Sequence, residues 1–277
     1  MDHHSSKTST IIWNVALGVT ALVMLLPIFW MLVTSLKPGE EVFIYPIQVW
    51  PESWHWKNYI DLFQQPGVPL IRWFFNSFFL AIMVTGLVLI ITSMAAYAFA
   101  RLKFPFRDRL FFLVVAAMVV PGQVTLVPVY IMLQKLGWID TFYGLIVPGL
   151  AGPFGVFLLR QFFLNIPRDI EEAARIDGCG NLRIFFQIIL PLAKPALTTL
   201  GILTALGSWN GFFWPLIVTN SLNMRTLPVG LAILNGQWWS EQHLLMAAAF
   251  TCSLPMFILY LMFENQIEKG VKAMSFR

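Results

Sequence analysis

The stretch IIWNVALGVTALVMLLPIFWMLVTSL, residues 11–36, decides the fold, because it holds no ionisable side chain from end to end. A hydrocarbon core about 30 Å thick is crossed by roughly 20 helical residues, and this run is long enough. Working outward, similar runs extend from about Trp73 to Ala100, Leu110 to Gln134, Thr141 to Leu159, Ala196 to Val218 and Leu244 to Phe263. The chain is therefore expected to be an all-α integral membrane protein with six transmembrane helices. Pro27, Pro121, Pro128 and Pro148 interrupt several runs, which a membrane helix tolerates when its neighbours re-satisfy the freed backbone groups. The runs are too long, and alternate too little, for a β-barrel. A short polar start without a small-residue cleavage site precedes the first run, which reads as a retained span.

Composition agrees. Of 277 residues 58% are hydrophobic and 12% charged, about half the charged share of a soluble domain. A soluble fold of this length could not cover so much apolar surface. Cys179 and Cys252 lie far apart with no metal-ligand spacing and read as reduced. The net charge of +4 comes from basic residues beside apolar runs rather than from a basic domain, so no nucleic acid is implied.

Six spans put both termini on one side, and Lys and Arg choose that side. With the termini inside, inner segments hold thirteen of the eighteen basic residues, Arg101, Lys103, Arg107 and Arg168 among them, and outer segments hold Lys37, Lys57, Arg72, Lys135 and Arg225. Both termini are expected to be cytoplasmic. Trp50, Trp54, Trp56, Trp73, Trp138, Trp238 and Trp239 fall in or beside outer segments, as interfacial anchors or contacts for an external protein.

The spans lack a charge that could carry an ion gradient, although sodium coupling can use backbone carbonyls instead. They do hold neutral polar and aromatic groups. Gln123, Tyr130, Trp209, Asn210 and Trp214 are the candidates for a solute path, with Trp209-Asn210 flanked by Gly207 and Gly211 as the pair of first choice. Such a lining suits an uncharged polyhydroxyl solute. No phosphate-binding loop, metal cluster or nucleophile turn appears, so a pump built on this chain needs a motor from elsewhere.

Between the fourth and fifth spans, Asn165-Ile-Pro-Arg-Asp-Ile-Glu-Glu-Ala-Ala-Arg-Ile-Asp-Gly178 predicts a short helix of about ten residues. Pro167 suits the first turn, Asp169, Glu171 and Glu172 suit the positive end of the dipole, and Gly178 can end the helix left-handed. Ile170, Ala173, Ala174 and Asp177 share one face, with Arg168, Glu171, Glu172 and Arg175 on other sides. A helix this short is marginal alone. Its small residues permit close approach of another backbone, so it reads as a docking helix or, failing that, as a solvated connector.

Glu172-Ala173-Ala174, then Gly178, then Ile188, Leu190 and Pro191, matches at every spacing the signature of the membrane subunits of binding-protein-dependent ABC importers. The wider chain resembles the carbohydrate-uptake class, and within it the smaller maltose-type permease. Shorter echoes lie at Asn58-Tyr59, Asn76-Ser77, Ala95–Arg101, Pro121, Pro128, Trp209-Asn210 and Leu227–Gly230. Cys179 stands where a small residue such as alanine is usual.

The resemblance implies the type I ABC importer permease fold. It implies an N-terminal part over residues 1–71, a core transmembrane domain over 72–264 with a coupling helix at about 167–178, and a cytoplasmic tail over 265–277. It further implies that Glu171, Glu172, Ala173, Ala174, Arg175, Asp177 and Gly178 meet an ATPase subunit. The partners would be a second homologous permease, an ATPase pair holding ATP and Mg, and an external solute-binding protein met by outer loops such as Asn220–His243. This chain would bind no cofactor and no metal. Two other readings stay open on the residues alone, a gradient-driven carrier for a neutral solute and a membrane scaffold without transport.

Overall fold

The computed structural model describes residues 7–237 and 241–275, with the side chains of 7–10, 237 and 265–275 left aside. Trp238 and Trp239, and the ends of the two terminal segments, lie outside the described residues. Every regular element described is helical: α1 Lys7–Ser35, α2 Lys57–Gln64, α3 Leu70–Arg101, α4 Arg107–Ala116, α5 Gly122–Lys135, α6 Phe142–Ile146, α7 Pro153–Leu164, α8 Arg168–Ile176, α9 Asn181–Ile184, α10 Leu190–Leu192, α11 Lys194–Trp209, α12 Phe213–Val218, α13 Leu227–Gln237 and α14 Gln242–Ser275. Short 3-10 turns and one π-helical turn, Phe185–Ile189, connect some of them.

Three helices are long and apolar enough to cross a membrane by themselves, over Ile11–Ser35, Leu70–Arg101 and Gln242–Glu264. The first is exposed on all sides over residues 11–27, Leu22, Met24 and Trp13 included, and is buried only at its end, at Val33, Thr34 and Ser35. An apolar helix that its own chain leaves uncovered needs lipid or a partner helix as solvent. The other spans are bent pairs: Arg107–Val119 with Gly122–Lys135 at 99°, Phe142–Gly149 with Pro153–Leu164 at 44°, and Asn181–Leu192 with Lys194–Trp209 at 78°. Counting each pair as one span gives six.

The bends fall at prolines. Val120 and Gly152 precede Pro121 and Pro153 and are extended rather than helical, because a following proline ring crowds the α conformation. Pro195 in the first turn of α11 can donate no backbone N–H. The run Leu110–Gln134, interrupted by proline as expected, bends at Pro121, whereas the span expected over Ala196–Val218 is corrected: it is no single helix. The chain leaves the helix after Trp209 and re-enters it at Phe213. Pro215 falls in the first turn of α12, where its missing N–H is least costly, so the break lies just before it. The stretch Asn181–Leu192, which the expected spans left out, supplies the other half of that span.

The described residues fall into two compact units, one within 1–70 and 231–255, the other within 71–230 and 256–277. In the first, Asn58 Nδ2 donates to the carbonyls of Ser35 (2.9 Å) and Lys37 (2.8 Å), and the Tyr59 hydroxyl lies 2.7 Å from Ser35 Oγ. The Asn58-Tyr59 echo thus satisfies the open carbonyls at the end of α1. In the second, a core of Ala96, Ala100, Leu159, Phe163, Ile184, Ile189 and Leu200 joins α3, α7, α9 and α11 and takes in Ala174 of α8. A smaller cluster joins Leu80, Leu133, Leu145, Ile146 and Val218.

Candidate functional site

Helix α8 begins after Pro167, whose extended backbone sits at the N-cap, and ends at Ile176. Gly178 has φ +81°. The Cys179 N–H donates to the Ala174 carbonyl (2.9 Å) and the Gly178 N–H to that of Arg175 (3.0 Å), a Schellman closure in which glycine takes the left-handed position. The Gly178 end follows the sequence expectation, while Pro167 stands at the N-cap, one step before the first turn in which it was expected.

The faces of α8 are more specific than expected. Glu171 and Ala174 are buried, whereas Glu172, Ala173, Arg175 and Asp177 are exposed. Glu171 Oε1 lies 2.8 Å from Nε of Arg101, the last residue of α3. The same guanidinium donates to the carbonyls of Phe163 (2.6 Å) and Ile166 (2.5 Å) at the end of α7. Arg101 therefore ties three elements together, and α8 is held on one side. The expected face of Ile170, Ala173, Ala174 and Asp177 is split: Ala174 turns into the core and the other three stay outside. Ile176, which the sequence reading passed over, is 87% exposed beside them. It is one of two exposed isoleucines on this charged helix, with Ile170, and an apolar residue between Arg175 and Asp177 was a signal available in the sequence.

The second candidate is a cavity of about 590 Å³ lined among others by Gln123, Thr125, Gly207, Ser208, Gly211 and Trp214. Among the described residues, no ionisable side chain lines it. The Thr125 hydroxyl donates to Gly122 O and Trp214 Nε1 to Gly144 O (3.1 Å), which fixes the indole. Of the expected path residues, Gln123 and Trp214 meet here; Tyr130, Trp209 and Asn210 do not line it. Trp209 is 4% exposed and meets Phe74 edge-on at 5.6 Å, so its indole packs into the protein, while Asn210 is exposed past the end of α11. The pair of first choice therefore sits at the break between α11 and α12, with the tryptophan buried and the asparagine outside.

Two other echoes are structural. Asn76 Nδ2 donates to the carbonyls of Asn223 (2.7 Å) and Arg225 (2.9 Å), and Ser77 Oγ accepts from the Leu227 N–H (2.9 Å). They pin the entry to α13 against α3.

Residues 89–272 match the family described as binding-protein-dependent transport system inner membrane component. Over 277 residues the chain is 36% identical to the arabinooligosaccharides transport system permease protein AraQ of Bacillus subtilis, covering 98% of both. It is 34% identical to the sulfoquinovosyl glycerol transport system permease protein SmoH of Agrobacterium fabrum, over 90% of this chain and 87% of that one. A crystal structure of a bacterial ABC transporter that imports the acidic polysaccharide alginate contains a chain of the same fold, with TM-score 0.83, 25% identity and coverage of 96% and 98%. The bent spans, the short capped helix α8 and the signature that runs through it all belong to one architecture, and the chain is a member of the binding-protein-dependent inner membrane components, the permease subunits of ABC importers.

Proposed function

We propose that this chain and a second, homologous permease enclose the import path for a sugar, oligosaccharide or polyol. An external solute-binding protein delivers the solute, and a pair of ATPase subunits, which hold the ATP and Mg, drives the cycle. Both termini face the cytoplasm, as the distribution of basic residues favours. The observation that carries the reading is α8, fastened from within by Arg101–Glu171 while Glu172, Ala173 and Ile176 stand open. A helix held on one face and bare on the other can pass a push from a docked subunit to α3 and α7.

The uncharged cavity supports transport without an ion-coupling residue in the path. Carbohydrate as the solute class is supported by the relatives, whose names or descriptions specify arabinooligosaccharides, sulfoquinovosyl glycerol and alginate. Alginate is acidic, so a neutral lining does not by itself choose a neutral sugar, and fine selection falls to the binding protein and the second permease.

The test is co-expression with candidate ATPase subunits. Glu172→Lys and Gly178→Pro should leave the chain in the membrane yet abolish solute uptake and ATPase co-purification. Proline can neither adopt φ +81° nor donate the N–H that Gly178 gives Arg175. Normal uptake in both variants defeats the proposal.

A further inference from the structure

The segment Leu102-Lys-Phe-Pro-Phe106 joins the ends of two apolar spans, Leu70–Arg101 and the pair that starts at Arg107. It lies where hydrocarbon gives way to headgroups. A hollow of about 600 Å³ opens there, lined by Lys103, Phe106, Arg107, Asp108, Arg109 and Arg168 among others. Four cations thus share one carboxylate, and that carboxylate is already engaged: Asp108 Oδ1 lies 3.1 Å from Arg107 Nε and 3.8 Å from an Arg160 nitrogen. Among the described residues, Lys103, Arg109 and Arg168 enter no ion pair. Arg109 lies over the Phe106 ring at 5.6 Å.

The hollow continues into an apolar strip. Phe106 has φ +60°, the left-handed conformation that starts α4, and its ring is exposed. Leu110 and Leu113 follow it at i+4 and i+7, on one helix face, and are exposed too. Cations at one end and a bare hydrocarbon face at the other describe the two halves of an amphiphile.

We propose that this hollow holds the phosphate of an anionic phospholipid whose acyl chains lie along Phe106, Leu110 and Leu113. Clustered Lys and Arg next to a span attract anionic headgroups, and guanidinium and ammonium donors make charge-assisted bonds to phosphate oxygens. Arg168 is the first residue of α8, so an occupied site links the α3–α4 loop to that helix through the lipid. Free phosphate would satisfy the cations but leave the strip bare.

Native mass spectrometry of the full-length chain, extracted with its co-purifying subunits, tests this with phosphatidylglycerol, phosphatidylcholine and inorganic phosphate as probes. The expected result is one tightly held phosphatidylglycerol that phosphatidylcholine does not replace. In Lys103→Gln/Arg109→Gln its binding weakens roughly thirty-fold, the effect of two interfacial cations. Both side chains are exposed, so an unchanged melting temperature serves as the folding control. Phe106→Ser should weaken the lipid and not phosphate. Equal retention in the double variant, equal affinity for phosphatidylcholine, or displacement by inorganic phosphate would each overturn the lipid site. So would a photo-crosslinker at residue 103 that labels a protein subunit instead of lipid.

Discussion

Arg101 and Glu171 face each other at 2.8 Å with side chains 3% and 7% exposed, a buried ion pair between the end of α3 and the first turn of α8. Such a pair is a poor source of stability, since desolvating both charges costs about as much as their attraction returns. Its effect is orientation. It decides which face of α8 looks inward, and thereby leaves Glu172 rather than Glu171 for a partner.

Single and double substitutions should therefore part company. Glu171→Ala strands a buried guanidinium, and Arg101→Met strands a carboxylate and two carbonyls, each at a cost of about 3 kcal/mol or more. The double variant Arg101→Met/Glu171→Met should regain much of the lost thermal stability and still couple poorly, because nothing then fixes the angle of α8. Thermal unfolding in detergent, run beside uptake assays, reads both quantities. Strictly additive losses in the double variant would mean that the two charges do not interact.

Gly230 is a second close fit. A Cβ there would stand 2.0 Å from the Trp73 ring, whose indole is 1% exposed and donates from Nε1 to the Leu222 carbonyl (2.6 Å). Close packing leaves the ring nowhere to move. Gly230→Ala should lower the yield of folded protein sharply, with a loss of about 3 kcal/mol, and Trp73→Phe in the same chain should restore part of it. The melting temperatures of the parent and these two variants decide the matter; no rescue would place the clash elsewhere.

Asp140 fastens two loops. Its carboxylate accepts from the N–H groups of Asn220 (2.8 Å) and Ser221 (3.0 Å), while its own N–H donates to the Val218 carbonyl (2.8 Å). Burial alone would raise its pKa, but the bonds from Ser221 and Asn220 and the nearby Arg225 charge outweigh it and hold the carboxyl below its ordinary 3.8. A depressed pKa contributes stability above the unfolded value and loses it as pH falls through the folded one. Asp140→Ala should thus melt lower than the parent by a constant margin from about pH 5 to 8, and the margin should narrow below about pH 4. Melting curves across that range would refute the clasp if the margin stayed flat to the acid end.

The parts of this fold legible in sequence were those that local chemistry dictates. An unbroken apolar run such as 11–36 has one solvent it can enter, and Pro167 with Gly178 marks both ends of α8. What stayed hidden depends on partners distant in the chain. Glu171 and Glu172 are neighbours of the same type, and only the arrival of Arg101 from seventy residues upstream separates the buried one from the open one. Trp209 looked like a path residue because aromatic rings suit sugars, yet Phe74 on α3 draws it into the core. The 99° bend at Pro121 also outran the reading, since a proline tells where a helix breaks and not through what angle.

Gly207 offers the test of the cavity itself. It lines the space with Gln123, Ser208 and Trp214, and a Cβ built on it meets nothing within 4 Å. It also sits inside α11, where glycine is worse than alanine by about 1 kcal/mol. The two effects have opposite signs. Gly207→Ala should raise the melting temperature slightly and leave most uptake intact. Gly207→Phe should fold and assemble as well as the parent, because its ring enters open space, but it should block solute by occupying a large part of the path. If transport through Gly207→Phe were undiminished while its stability matched the parent, this cavity would lie off the route that the solute takes.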